Sequence, residues 1–106
     1  MEETMIRVIV LYPAKEGAKF DFDYYTKKHM PLAVSLMEDF GCIRTEVDRG
    51  LGTADGGSAL FVCIGYLYFE NMEGLKKGLV AHAGELMGDI PNYTNIEPQI
   101  QINEVI

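Results

Sequence analysis

The longest apolar run of the chain, ALFVCIGYLYF at residues 59–69, is the segment that decides the fold. Apolar side chains occupy both of its alternating faces, which is typical of a strand covered on two sides in the middle of a sheet. Residues 5–13, MIRVIVLYP, show the same pattern and end at a proline. The sequence therefore predicts two central strands, one from each of these segments.

Two further strands are predicted at the edges of the sheet. Residues 42–49, CIRTEVDR, alternate strictly, with Ile43, Thr45 and Val47 on one face and charged residues on the other. Residues 96–106 alternate isoleucine with glutamine or asparagine over most of their length. Because one face of each segment is polar, we expect both strands to lie at edges.

Two helices separate these strands. Asp21 is a favourable N-cap for a helix from Phe22 to about Asp39, and Asn71 caps a second helix that Pro91 ends. The order predicts an α+β fold, a ferredoxin-like βαββαβ sandwich with an antiparallel sheet in the order 4-1-3-2. A length of 106 residues predicts a single domain covering residues 1–106.

The loop GLGTADGGS at residues 50–58 sets the pairing expected between the second and third strands. Centring it pairs residue 49 with 59 and residue 45 with 63. Cys42 and Cys63 are then out of step by roughly 10 Å, which is too far for a disulfide. We interpret both cysteines as small apolar residues of an intracellular protein.

The sheet is expected to have one uncovered face, since two helices can cover only the other. That face would expose apolar side chains of both central strands, and large exposed apolar patches usually mark an interface. The sequence therefore predicts a homodimer in which two sheets pack face to face around a common interior, a dimeric α–β barrel.

Composition excludes several partners. The net charge of -7 disfavours nucleic acid and anionic membranes, and no apolar run approaches the ~20 residues that span a bilayer. The acidic start MEETMIRV does not resemble a signal peptide. We expect a cytoplasmic protein with no nucleic-acid or membrane partner.

His29 is the strongest candidate for chemistry. It shares a helical stripe with Phe22, Tyr25 and Leu32, and Pro31 is expected to end or kink the helix near His29 and Met30. The imidazole would then lie near a helix C-terminus and point inward, as a general acid or base. The alternative is a buried histidine satisfied by a local carbonyl, such as that of Lys27.

The sequence resembles the EthD family, within the dimeric α–β barrel superfamily. The motifs that carry the resemblance span nearly the whole chain in order: VLYPAKEG at 10–17, DFDYYTKKHMPL at 21–32, EVDRGL at 46–51, GYLYFEN at 65–71 and DIPNYTNIEPQIQINEV at 89–105. The resemblance implies the ferredoxin-like fold and the dimer. It also supports a functional role for His29, on which the second motif centres, but implies no single chemistry, because related barrels catalyse many reactions.

Tyr25, Tyr66 and Tyr68 are candidates for substrate binding. Tyrosine hydroxyls orient small carbonyl or phenolic ligands in apolar pockets. Tyr66 and Tyr68 share one strand face, where they either line the cavity or pack beneath a helix.

Three further candidates lie at element ends. Asp48 precedes the glycine-rich loop, and Asn92 and Tyr93 follow Pro91. They either close the mouth of the pocket or play ordinary roles, as a solvated charge and as turn residues that bond the local backbone. Neither of the two histidines has Cys, Asp or Glu residues at the spacing typical of metal ligands, so we expect no metal site. Haem binding is disfavoured but is not excluded by the sequence.

These observations predict a small cofactor-independent enzyme that acts on an apolar oxygenated small molecule inside the dimer. His29 would transfer a proton, and tyrosines would orient the oxygen, in a dehydration, isomerisation, cyclisation or decarboxylation. The alternative is a non-catalytic, ligand-binding accessory protein of an oxidative system of the ether-degrading type.

Overall fold

The computed structural model describes residues 4–106; residues 1–3, the start of the acidic N-terminal segment, lie outside the described residues. Four strands form one antiparallel sheet, in the order β2-β3-β1-β4. Their bounds are β1 Ile6–Pro13, β2 Cys42–Arg49, β3 Phe61–Phe69 and β4 Gln99–Glu104. The predicted ferredoxin-like order is confirmed, with the two apolar strands in the centre.

The alternation along β1 defines the two faces of the sheet. Ile6, Val8 and Tyr12 are buried beneath the helices, and Ile6 and Tyr12 lie opposite Phe69 and Cys63 of β3 on the same face. The other face carries the intervening residues of both central strands, together with polar side chains of the edge strands. We call it the open face; its apolar members are Ile9, Leu11, Val62 and Ile64.

Pro31 does not end the first helix; the disruption expected near His29 and Met30 takes the form of a π-helical turn. Helix α1 (Phe22–Tyr24) continues through a π-helical turn (Tyr25–His29) into α2 (Met30–Met37). In the wider turn the Met30 N–H bonds the Tyr25 carbonyl, five residues back. This turn accommodates a proline that could not donate to the carbonyl four residues earlier. A 3-10 turn (Glu38–Phe40) ends the segment, and Gly41 follows with a φ of 92°.

Both predicted helix caps are confirmed. The Asp21 carboxylate accepts a hydrogen bond from the Tyr24 N–H, and the Asn71 side chain accepts one from the Gly74 N–H. Helix α3 (Met72–Asp89) runs into a 3-10 turn (Ile90–Asn92) that contains Pro91. The end of α3 therefore lies where the sequence predicted it.

The predicted register of the β2–β3 hairpin is wrong by four residues. Arg49 lies opposite Cys63, not residue 59, and Thr45 lies opposite Leu67. The turn closed by Thr53 and Gly57 lies near the middle of the loop, and pairing across the hairpin starts where the Gly50 N–H donates to the Val62 carbonyl. Cys42 and Cys63 are nevertheless buried free thiols, as expected.

Candidate functional site

His29 is paired with Asp89. Its Nδ1 lies 2.8 Å from the Asp89 Oδ2, and only about a tenth of each side chain is exposed. The π-helical turn of the first helical segment presents the imidazole, and the end of α3 presents the carboxylate. The site therefore depends on the docking of two segments that are 60 residues apart.

The Asp89 carboxylate receives two more hydrogen bonds. The Tyr24 hydroxyl donates to Oδ1 at 2.7 Å, and the Asn92 side-chain amide donates to the same oxygen at 2.8 Å. Partial burial by itself raises the pKa of Asp89, but the three donors outweigh it and hold that pKa below its ordinary value. Asp89 is thus a carboxylate, so His29 must carry a proton on Nδ1.

This geometry corrects the predicted surroundings of His29. The imidazole lies within a continuous helical segment, not at a helix C-terminus, and its partner is Asp89 rather than the Lys27 carbonyl. Among residues 4–106, Arg7 Nε is the one buried side-chain nitrogen or oxygen without a hydrogen bond. Since no partner reaches His29 Nε2 either, that nitrogen must border accessible space.

His29 is one of the residues that line a cavity of about 180 Å³ between the helices and the sheet. The cavity lies within one chain, on the helix-covered face of the sheet, so the prediction that His29 points into a common interior between two sheets is wrong. Apart from His29 and three tyrosines, every lining residue is apolar. The tyrosines are Tyr12, Tyr25 and Tyr93.

Tyr25 and Tyr93 pack directly against the imidazole. The Tyr25 ring stacks on His29 at 5.4 Å between centroids, and the Tyr93 ring lies 4.7 Å away. The Tyr93 and Tyr12 hydroxyls are 2.6 Å apart. Burial is the largest cause that raises the pKa of all three tyrosines. They are therefore protonated phenols that can donate hydrogen bonds.

Gly65 makes room for Tyr25. A methyl group at Gly65 would collide with the Tyr25 hydroxyl and lie 2.9 Å from Met30 Cε. We expect Gly65→Ala to lower the free energy of unfolding by about 1–3 kcal/mol, because the ring must shift within a packed core. Urea unfolding of Gly65→Ala, Tyr25→Phe and the double variant measures this. The double variant should recover part of the loss, and strictly additive losses would contradict the collision.

Three predicted substrate-binding residues lie on the open face, away from His29. The Tyr66 hydroxyl donates to Asp48 at 2.7 Å, and the Tyr68 hydroxyl donates to Glu46 at 3.1 Å. Burial, followed by the Asp48 carboxylate, raises the pKa of Tyr66 to about 12. The structure brings Tyr25 and Tyr93 to His29 but does not bring Tyr66, Tyr68 or Asp48 there.

Asn92 supports the site from outside, because it contacts Asp89 and does not line the cavity. The sequence assigned no role to Asp89, Tyr12 or Tyr24. The motif that begins DIPN at Asp89 was the one signal that could have found the carboxylate. Among residues 4–106, no group of three or more His, Cys, Asp and Glu side chains is placed to hold a metal ion.

The geometry defines a class: a ferredoxin-like α+β protein with a His–Asp pair in the wall of an apolar cavity under its helices. The crystal structure of an EthD-like protein from Ralstonia eutropha JMP134 is similar to this chain, with 37% identity and a TM-score of 0.89. The match covers 98% of this chain and 94% of that one. The chain therefore belongs to the EthD-like family, as its motifs indicated.

Other solved structures share the fold. An ethyl tert-butyl ether degradation (EthD) family protein from Bacillus halodurans C-125 is 22% identical over 96% of this chain and 99% of that one, with a TM-score of 0.67. A dimeric ferredoxin-like protein from an uncultured marine organism is 12% identical over 98% and 97%, with a TM-score of 0.62. No family model and no curated protein matches the chain. No helix within residues 4–106 is both long and apolar enough to cross a membrane.

Proposed function

We propose that this protein is a cytoplasmic, cofactor-independent enzyme that transfers a proton on a neutral, apolar, oxygenated small molecule held in the cavity. One observation carries the proposal: His29 is held through Nδ1 by a buried carboxylate and is itself part of the wall of an almost wholly apolar cavity. A histidine positioned in this way is the most common general acid or base.

The roles of the residues follow from their protonation. His29 Nε2 accepts a proton from carbon next to a carbonyl, or from a hydroxyl, and Asp89 holds the ring in the required tautomer. Tyr25 and Tyr93, protonated phenols whose rings pack on the imidazole at 5.4 and 4.7 Å, are the proposed donors for the charge that develops on the substrate oxygen. Dehydration, isomerisation, cyclisation and decarboxylation all use such a step.

The cavity limits the substrate. Within residues 4–106, no charged side chain other than His29, when it is protonated, lines the space, so a carboxylate or phosphate would lose its hydration without gaining a fixed partner. A volume of about 180 Å³ suits a compound of about one ring. The proposed substrate class is therefore neutral monocyclic ketones, phenols or ethers.

Hydrogen–deuterium exchange at carbon tests the chemistry without knowledge of the natural substrate. Cyclohexanone and other neutral monocyclic ketones are incubated in D₂O with the purified protein and no cofactor, and deuterium next to the carbonyl is followed by NMR. Exchange above the rate in protein-free buffer supports the proposal. Binding of the ketones without any catalysed exchange would instead favour the accessory, ligand-binding role, which needs the apolar cavity but not the His29–Asp89 pair.

A homodimer through the open face is part of the proposal. Its apolar members are only half-buried in one chain, and the Arg7 Nε beside them is buried without a partner among residues 4–106. The ferredoxin-like neighbour described as dimeric has the same fold. Because the cavity is on the other face, the dimer would cover Tyr66, Tyr68 and Asp48 and would not line the His29 site.

Ile9→Glu is expected to convert the dimer to a monomer. A carboxylate in the centre of the open face would lose its hydration at the contact, which should raise the dissociation constant by about 100-fold or more. Sedimentation at micromolar concentrations measures the change. Val80→Glu, an apolar-to-acid change on exposed α3, is the matched control and should remain dimeric. A monomeric wild-type protein would overturn the dimer proposal.

A further inference from the structure

Helix α3 is poorly packed in its second half. Of its 18 residues, only Leu75 and Gly78 are buried, and both lie in the first half. Leu79 and Met87 line the cavity and yet are 37% and 50% exposed. From residue 79 onward the helix is therefore packed only in part: Leu86 lies half-buried against the core cluster, and the His82 ring contacts Phe40.

The part of the sheet beneath this half of α3 is also incompletely covered. Ile100 and Ile102 of the edge strand β4 lie opposite Val10 and Val8, on the helix-covered face. They line the cavity, but they are 52% and 40% exposed. The mouth of the cavity is thus an apolar slot between β4 and the second half of α3.

Two glycines weaken this half of α3 without a packing reason. At Gly74 and Gly78 a methyl group would collide with the Phe40 carbonyl and with the Met37 side chain, so close helix packing explains both. At Gly84 and Gly88, among residues 4–106, no atom outside the adjacent residues and the surrounding helical backbone lies within 4 Å of such a methyl group. Glycine in a helix interior is unfavourable, so these two residues make opening of the segment easier.

The segment is anchored at both ends. Gly78 packs against Met37 and Phe40 at one end, and Asp89 binds His29 and Tyr24 at the other. Between these anchors no residue of α3 is buried. Local opening of a helix that lies between fixed ends exposes the cavity without unfolding the rest of the fold.

We infer that residues 79–88 form a lid that opens locally to admit the ligand to the cavity and closes over it. The inference rests on one part of the proposed function, namely that the ligand binds in the cavity. The apolar slot is the path that an uncharged ligand would take. Its closure over a bound ligand would exclude water from the space beside His29.

Amide hydrogen exchange of the ligand-free protein tests the lid. Amides of residues 80–88 should exchange at least about tenfold faster than those of residues 75–78, which belong to the packed half of the same helix. Gly84→Ala with Gly88→Ala should slow exchange of residues 80–88 by roughly 25-fold, about fivefold for each substitution, and leave α2 unchanged. Lys76→Ala, on the exposed face of the packed half, is the control and should change neither region.

Equal protection of the two halves of α3 would overturn the inference, as would slowing that spreads equally over the whole chain in the double variant. Cyclohexanone at saturating concentration provides a second arm, in which exchange of residues 80–88 should slow in the wild-type protein. The ligand-free result does not depend on turnover. If the lid opens as expected but the protein catalyses no exchange at carbon, the lid inference stands and the proposed enzymatic function is wrong.

Discussion

His29→Gln is expected to lower the catalysed proton exchange of a neutral ketone by about 10²–10⁴-fold. Glutamine keeps a polar side chain of similar reach but has no group that accepts and releases a proton. The apolar lining of the cavity is unchanged, so binding of the ketone should weaken far less than the rate. NMR measurement of deuterium incorporation, with a separate binding titration, distinguishes the two effects.

His82 provides a matched control for this substitution. It is the other histidine of the chain, and its Nδ1 also faces a carboxylate, Glu85, at 2.9 Å. It does not line the cavity. His82→Gln should therefore lower the rate far less than His29→Gln, because His82 belongs to the proposed lid but not to the wall of the cavity. A His29→Gln variant with the wild-type rate, or an equal loss in both variants, would contradict the assigned role of His29.

The strand order was predictable because the alternation of apolar and polar residues in each strand indicates whether the strand lies in the centre or at an edge of the sheet. The two central strands are apolar on both faces and the edge strands on one, and the sheet orders them accordingly. Asp21 and Asn71 bond backbone groups within three residues, so their roles as helix caps were also local. Local signals of this kind need no knowledge of the rest of the fold.

Non-local features were not predictable. The effect of Pro31 depended on whether a π-helical turn or a break costs less, and packing of the flanking residues Tyr25 and Met30 in the core favours a continuous helix. The hairpin register depended on where the turn closes within a glycine-rich loop in which several positions are compatible. Neither choice is determined by residue type alone.

The candidate site was predicted only in part for the same reason. An apolar pattern on both faces of β3 does not show which face the helices cover, and Tyr66 and Tyr68 proved to be on the open one. Asp89 meets His29 only when α3 docks on the first helical segment. Pairs of this kind follow from tertiary packing, which leaves no spacing signal in the sequence.

Asp89→Asn is expected to reduce the rate by about 10- to 10⁴-fold, the upper value being the loss seen where a buried carboxylate fixes the tautomer of a catalytic histidine. In asparagine one of the two oxygens becomes an NH₂ group; when the remaining oxygen keeps the hydrogen bonds from Tyr24 and Asn92, that NH₂ group faces His29 Nδ1 and cannot accept its proton. The ring would then lose its fixed tautomer and orientation, while the cavity lining stays the same. The fall should appear in the maximal rate more than in the concentration of ketone that half-saturates the protein.

The same substitution should also change how the free energy of unfolding depends on pH. This measurement reports the charge of Asp89 directly, which the loss of activity does not. We expect Asp89→Asn to lower the free energy of unfolding by about 1–3 kcal/mol at pH 5, because the donors from Tyr24, His29 and Asn92 lose a charged acceptor. The folded pKa of Asp89 is lower than the ordinary value of 3.8, so its carboxylate stabilises the fold above that pH. This contribution is lost as the pH falls through the folded pKa.

The difference between wild type and Asp89→Asn should therefore shrink between pH 5 and pH 2 in urea unfolding. Asp23→Asn is the control: Asp23 also faces a cation, Lys27 at 3.8 Å, but both side chains are largely exposed. Exposed pairs contribute little, so that variant should stay within about 0.5 kcal/mol of wild type. A difference for Asp89→Asn that is constant or grows below pH 4 would mean that the carboxylate is not held ionised by its donors, and His29 would then lack the fixed tautomer on which its role as a base depends.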